Sequence, residues 1–189
     1  MKRTKLLMLL VLCLMLALPA TAETTLRKTL PLQMEGQEEL YVVTLFRWEG
    51  VLSLWYGADH FAPMVTRGGL RFDLIDNQLV APVYLDIEGL YDPTGTSPGD
   101  LEDVKAAYES DGWQVTPLDA TGMLPDFHFA QEPPQAFTAQ KDNQRALVLV
   151  TNVTSGAYAI TIEYPEEAAE GWGARMAQMA DTLTGLPGE

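Results

Sequence analysis

The chain has 189 residues, with 26 Asp and Glu against 12 Lys and Arg, and a formal net charge of −14. An acidic surface of this strength repels phosphate backbones and anionic headgroups, which excludes nucleic acid and anionic membrane surfaces as partners. Its single cysteine, Cys13, lies in the N-terminal apolar run, so the rest of the chain has no disulfide framework, no thiolate nucleophile and no cysteine-based metal site.

Residues 1–22 read as a secretory signal peptide. Lys2, Arg3 and Lys5 precede an apolar stretch from Leu6 to Leu18, and Ala20-Thr21-Ala22 supplies a small-x-small cleavage site. The stretch is short for a bilayer span, which takes roughly 20 apolar residues, so no membrane insertion is expected after cleavage. Leu12 before Cys13, where a lipoprotein signal takes a small residue, argues against lipidation. Loss of the leader takes the charge from −14 to −17 and leaves residues 23–189, a length suited to one domain with its own core.

Thr25 to Met34 alternates, with Leu26, Leu30, Leu32 and Met34 on one side and Pro31 among the polar positions. This predicts a half-buried strand at a sheet edge, because proline cannot donate to a ladder. Leu40–Trp48 is more continuously apolar and reads as a central strand, followed after Glu49-Gly50 by Val51–Tyr56. GADHFAPMVTRGG reads as irregular. Leu70–Ile75 and Leu79–Tyr91 are two further strands, the second open to an interruption or bulge, joined by Asp76-Asn77-Gln78, whose side chains suit a turn.

Asp100–Asp111 is an amphipathic helix with Leu101, Val104 and Tyr108 on one narrow stripe, closed by Gly112 as a left-handed cap. Short strands follow at Trp113–Thr116 and Phe127–Gln131, then Ala136–Ala139, Arg145–Asn152 and Ala157–Tyr164, the last with Tyr158, Ile160, Ile162 and Tyr164 on one face. Pro165-Glu166-Glu167 opens a second helix. Its stripe of Trp172, Met176, Met179 and Leu183 is the expected lid of the core, although Gly171 and Gly173 weaken it by about 1 kcal/mol each relative to alanine. Antiparallel strands interrupted and ended by helices predict an α+β fold, an antiparallel sheet covered by helices.

Gly95-x-Ser97-x-Gly99 matches the nucleophile elbow of a serine hydrolase, and a strand precedes and a helix follows it. The residue after the serine is Pro98, however, which has no N–H for the oxyanion hole. The pattern is better accounted for by a helix start, with Ser97 as N-cap, Pro98 at the first helical position and Asp100 three residues after the cap. His60 and His128 are isolated from each other and from thiolates, which falls short of a zinc site. His60, in the loop YGADHFAP, could contact a ligand. Acids are abundant, and no pair stands at a distinguishing spacing. DPTGTSPGDLED does not follow the ligand pattern of a calcium loop. Neither a P-loop nor a dinucleotide fingerprint is present, so no cofactor is implied. Asn152-Val153-Thr154 is a glycosylation sequon at a predicted turn. Trp48, Trp55, Tyr56, His60 and Tyr91 form the candidate binding patch, if strand pairing brings them to one surface.

YGADHFAP after a strand, APVYLDIEGLY, DLEDVKAAYESDGW and the ending SGAYAITIEYPEEAAEGWGARMAQMADTL resemble, over about residues 40–185, the PsbP-like α/β/α sandwich. That superfamily holds an extrinsic photosystem II protein, a nuclear Ran-binding protein and many bacterial exported proteins. The resemblance implies an accessory or protein-binding role and transfers no catalytic residue. The resulting expectation is an exported, non-enzymatic protein that binds an unknown protein or cell-envelope component. A small cell-wall or carbohydrate hydrolase using two carboxylates is the alternative. A self-associating envelope module is the third possibility.

Overall fold

The computed structural model describes residues 26–34, 36–48, 52–79, 81–90, 100–119, 134–153 and 156–185. Residues 1–22, Tyr91, Ser97, Pro98 and His128 with its predicted strand lie outside them.

Where the sequence alternates, the chain is extended. The strands are β1 (Arg27–Met34), β2 (Gln37–Trp48), β3 (Leu52–Tyr56), β4 (Phe61–Val65), β5 (Gly69–Leu74), β6 (Tyr84–Leu90), β7 (Gln114–Leu118), β8 (Gln135–Lys141), β9 (Gln144–Val153), β10 (Gly156–Pro165) and β11 (Thr184–Gly185). The helices are α1 (Leu101–Ser110) and α2 (Ala174–Asp181), the latter entered through a 3₁₀ turn at Glu166–Ala168 and a π turn at Ala169–Gly173.

These strands do not build one sheet. β1, β2, β3 and β11 make a small sheet in that order, and the other seven make a large one in the order β4-β5-β6-β10-β9-β8-β7. All pairings are antiparallel. The expected α+β sandwich, with helices covering the sheet, is therefore corrected to a predominantly β arrangement, and the PsbP-like α/β/α layering does not describe it. The physical reason is area. Ten residues of α1 and eight of α2 cannot cover both faces of a seven-stranded sheet, so a second sheet shields most of one face.

On that face the register lines up Leu70, Ile87, Ile160, Leu149 and Ala136 in one row and Phe72, Leu85 and Ile162 in the next. These pack with Leu52 and Leu54 of the small sheet and with Met176, Met179, Ala180 and Leu183 at the C-terminal end into one core. Fully burying a side chain such as Phe72, Leu54 or Met176, each below 2% exposed, is worth roughly 1.5–3 kcal/mol. On the opposite face, α1 lays Leu101, Val104 and Tyr108 against Phe137, Ala139, Ala146 and Val148 of β8 and β9.

Three local expectations change. β4 forms within the stretch read as irregular. Leu79 and Ala81–Val83 are not strand: Asn77 Oδ1 accepts from Leu79 N–H at 3.0 Å and its amide donates to the Ala81 carbonyl at 2.9 Å. α1 is capped by Asp100, whose Oδ1 accepts from Asp103 N–H at 3.0 Å. Asp100 is thus the cap itself and not a residue inside the first turn, which displaces the assignment of that role to Ser97.

Candidate functional site

Strand register decides where the predicted aromatic residues go. Tyr56 pairs with Thr44 and Trp48 with Leu52 on one face of the small sheet; Trp55 pairs with Leu45 on the other. Trp48 and Tyr56 pack against the main core. Trp55 packs beside Leu32, Tyr41 and Val43, with Lys28 Nζ 4.2 Å from its ring centroid. His60 is half-buried and borders that same cluster, stacked on Tyr41 (centroids 6.0 Å) and edge-on to Trp172 (5.3 Å). The structure therefore does not bring Trp48, Trp55, Tyr56 and His60 to one surface.

Around His60, the Arg175 guanidinium lies 5.6 Å from the Tyr41 ring and 5.1 Å from that of Trp172. It donates to Glu39 Oε2 and the Gly171 carbonyl, each at 3.3 Å. The Tyr41 hydroxyl is buried without a partner, and burial pushes its pKa up to about 12. Trp172 reaches this cluster from the π turn, and a Cβ at Gly173 would lie 3.2 Å from the Tyr164 ring, close enough that the ring would have to shift.

The second cluster was not singled out by the sequence. On the face of the large sheet that carries α1, the half toward β5 is polar. Arg71 Nε is 2.8 Å from Asp73 Oδ1, and the guanidinium carbon sits 3.5 Å from the Tyr84 ring centroid. The Tyr84 hydroxyl donates to Glu163 Oε2. Glu163 is only 8% exposed; burial first of all raises its pKa, and Tyr84 and Arg71 only partly oppose this. Asp86 is raised for the same leading reason, and its Oδ1 is buried without a partner. Because Asp86 pairs with Thr161, it is the diagonal neighbour of Glu163, roughly 7–8 Å away. Two carboxyls held toward the protonated form can exchange protons with a substrate. Among the described residues, no three His, Cys, Asp or Glu side chains are grouped to hold a metal ion. The available signal was Glu163 at the end of Ala157, Ala159 and Thr161, a face of small residues that calls for a cover.

The third feature is an apolar strip. Leu40, 74% exposed, and Val42, 49% exposed, continue the face of β2 that carries Phe46, beyond the reach of the core. Pro31 and Thr29 of β1 stand opposite them. The sheet edges beside it are blunted. Leu45 N–H donates to Leu26 O at 2.9 Å, so alternation along the pair places Pro31 where its missing N–H faces away from β2. Ile75 N–H donates to His60 O at 2.7 Å, and the same count turns Pro63 of β4 outward. Pro117 occupies β7 at the far edge of the large sheet.

The chain matches no model of a known protein family and no curated protein.

Proposed function

We propose that this chain is an exported, non-enzymatic binding protein that engages a protein partner outside the cytoplasm through the outward face of the β1–β2 hairpin. The observation that carries this is Leu40, 74% exposed within a twelve-residue strand, with Val42 and Pro31 as apolar neighbours. Contiguous apolar surface of this kind, rimmed here by Gln33 and Glu38, is the usual mark of a protein contact. A second copy is a poor occupant, because each molecule without its leader carries −17, the −14 of the whole chain less the three positive charges of residues 1–22, and outward prolines oppose strand addition. The fitting partner is a surface with an apolar centre and a basic rim. Export is supported by the leader pattern of residues 1–22.

A photoreactive amino acid at position 40, introduced in the native host, tests this. A discrete adduct that disappears when Val42→Asp is added supports the proposal. No adduct at position 40, or the same adducts from a control at Glu102, defeats it.

One observation favours a second reading, a small cell-wall or carbohydrate hydrolase: Asp86 and Glu163 are two carboxyls on one sheet face, both raised by burial. It requires turnover of a wall or polysaccharide substrate by the wild type, abolished in Asp86→Asn and Glu163→Gln without loss of melting temperature. Absence of wild-type turnover disposes of it.

A further inference from the structure

The polar half-face has too many acceptors. Asp86 Oδ1 and Gln144 Oε1 are both buried without a donor, and they flank Glu163 diagonally on the two neighbouring strands, since Asp86 pairs with Thr161 and Gln144 with Pro165. Glu163 adds two more acceptor oxygens and receives one side-chain donor, the Tyr84 hydroxyl. A buried acceptor without a donor costs about 1–3 kcal/mol, and a proton is the smallest group that removes such a deficit.

The charges that face this cluster leave it negative. β5 contributes Arg71 and Asp73, β6 contributes Tyr84, Asp86 and Glu88, and β8 contributes Lys141. The end of α1 contributes Tyr108 and Asp111. Both cations are already engaged, Arg71 with Asp73 at 2.8 Å and Lys141 with Asp111 at 3.1 Å. α1 also presents its C-terminal end here, with no basic residue in its last turn. That end carries the negative pole of the helix dipole, so ionised Glu163 and the helix end repel each other.

α1 is held lightly against this repulsion. None of its residues is buried. Its ties are the half-buried stripe and the bond from Lys141 Nζ to the Asp111 carbonyl at 2.7 Å. We propose that α1 is seated on the large sheet by a proton: protonation of the Asp86–Glu163 cluster tightens its docking and deprotonation loosens it. Burial raises both carboxyls in the direction this requires. The device belongs to the free chain and stands apart from the partner-binding proposal.

The test follows Trp113, whose ring lies edge-on to Tyr108 at 5.4 Å and whose Nε1 donates to Asp111 Oδ2 at 3.3 Å. Nitrogen–proton NMR spectra of the purified chain are recorded from pH 8 to pH 5, together with hydrogen exchange of the α1 amides corrected for intrinsic pH dependence. Several-fold slower corrected exchange in α1 at pH 5 than at pH 8, with a sigmoidal shift of the Trp113 indole signal, is expected. Glu163→Gln, which keeps an acceptor for Tyr84 and adds donors, should hold the low-pH pattern at every pH. Corrected exchange independent of pH in the wild type, or the same titration in Glu163→Gln, overturns the proposal. If that variant does not fold, Asp86→Asn replaces it: a flattened profile supports the proposal and an unchanged one overturns it.

Discussion

α1 and α2 present similar apolar stripes in sequence and sit in different environments. α2 buries Met176, Met179 and Ala180 between the sheets. α1 rests on one sheet face with Leu101, Val104 and Tyr108 half-exposed and no residue buried. Helical periodicity fixes which face turns inward; how deep the helix sits depends on what stands on its other side. α2 has a second sheet there, whereas the outer face of α1, with Glu102, Asp103 and Glu109, is exposed. The two helices should therefore differ in energetic weight by more than their sequences imply.

The largest expected effect is Met176→Ala, which empties a fully buried site and should lower unfolding free energy by about 2–5 kcal/mol, measured by denaturant titration. Val104→Ala in α1 should cost roughly 1 kcal/mol, since only part of the side chain leaves water. Equal losses from the two would break the comparison. Asp100→Ala should also cost about 1 kcal/mol through the lost cap, and hydrogen exchange should report it in the first turn of α1 before anywhere else. A loss of that size from Ser97→Ala with none from Asp100→Ala would return the cap to Ser97.

The smallest effect depends on pH. Asp86 and Glu163 are raised in the folded chain, so the protonated forms are favoured by folding. Stability from this source is complete below about pH 4, where both carboxyls are protonated even when unfolded, and is lost as pH rises through their folded values. Glu163→Gln should accordingly gain melting temperature relative to the wild type between pH 5 and pH 8. A constant difference across that range would show that Glu163 is not the group responsible.

Much of the strand content was legible. β9, β10 and the turn between β8 and β9 follow from alternation and from Asp142, which takes φ 52°. The left-handed cap at Gly112, φ 86°, follows from the end of the α1 stripe. β4 was hidden because Pro63 interrupts its pattern, and proline is compatible with a strand only where the N–H faces outward. The division into two sheets was not legible, since alternation says that a strand has a buried face and says nothing about which sheet it joins. The start of the C-terminal helix misled for a related reason: Gly171 and Gly173 are read as weak α-helix and lie in a π turn, where Gly173 faces the Tyr164 ring. Of the candidate site, His60 was legible as an aromatic-rich loop residue. The polar half-face was not, because Glu163 joins Arg71 and Tyr84 only through the pairing of β10 with β6, where Tyr84 and Glu163 are 79 positions apart.

The outward prolines carry a consequence for the chain as it folds in crowded surroundings. Any chain that builds two antiparallel sheets does so while neighbouring copies do the same, and an open strand edge is a template for cross-β growth. With no outward N–H at Pro31 and Pro63, the sheets terminate instead of templating one another. Pro31→Val together with Pro63→Val should leave the fold intact, as read by circular dichroism, and make the chain nucleate fibrils at high concentration faster than the wild type.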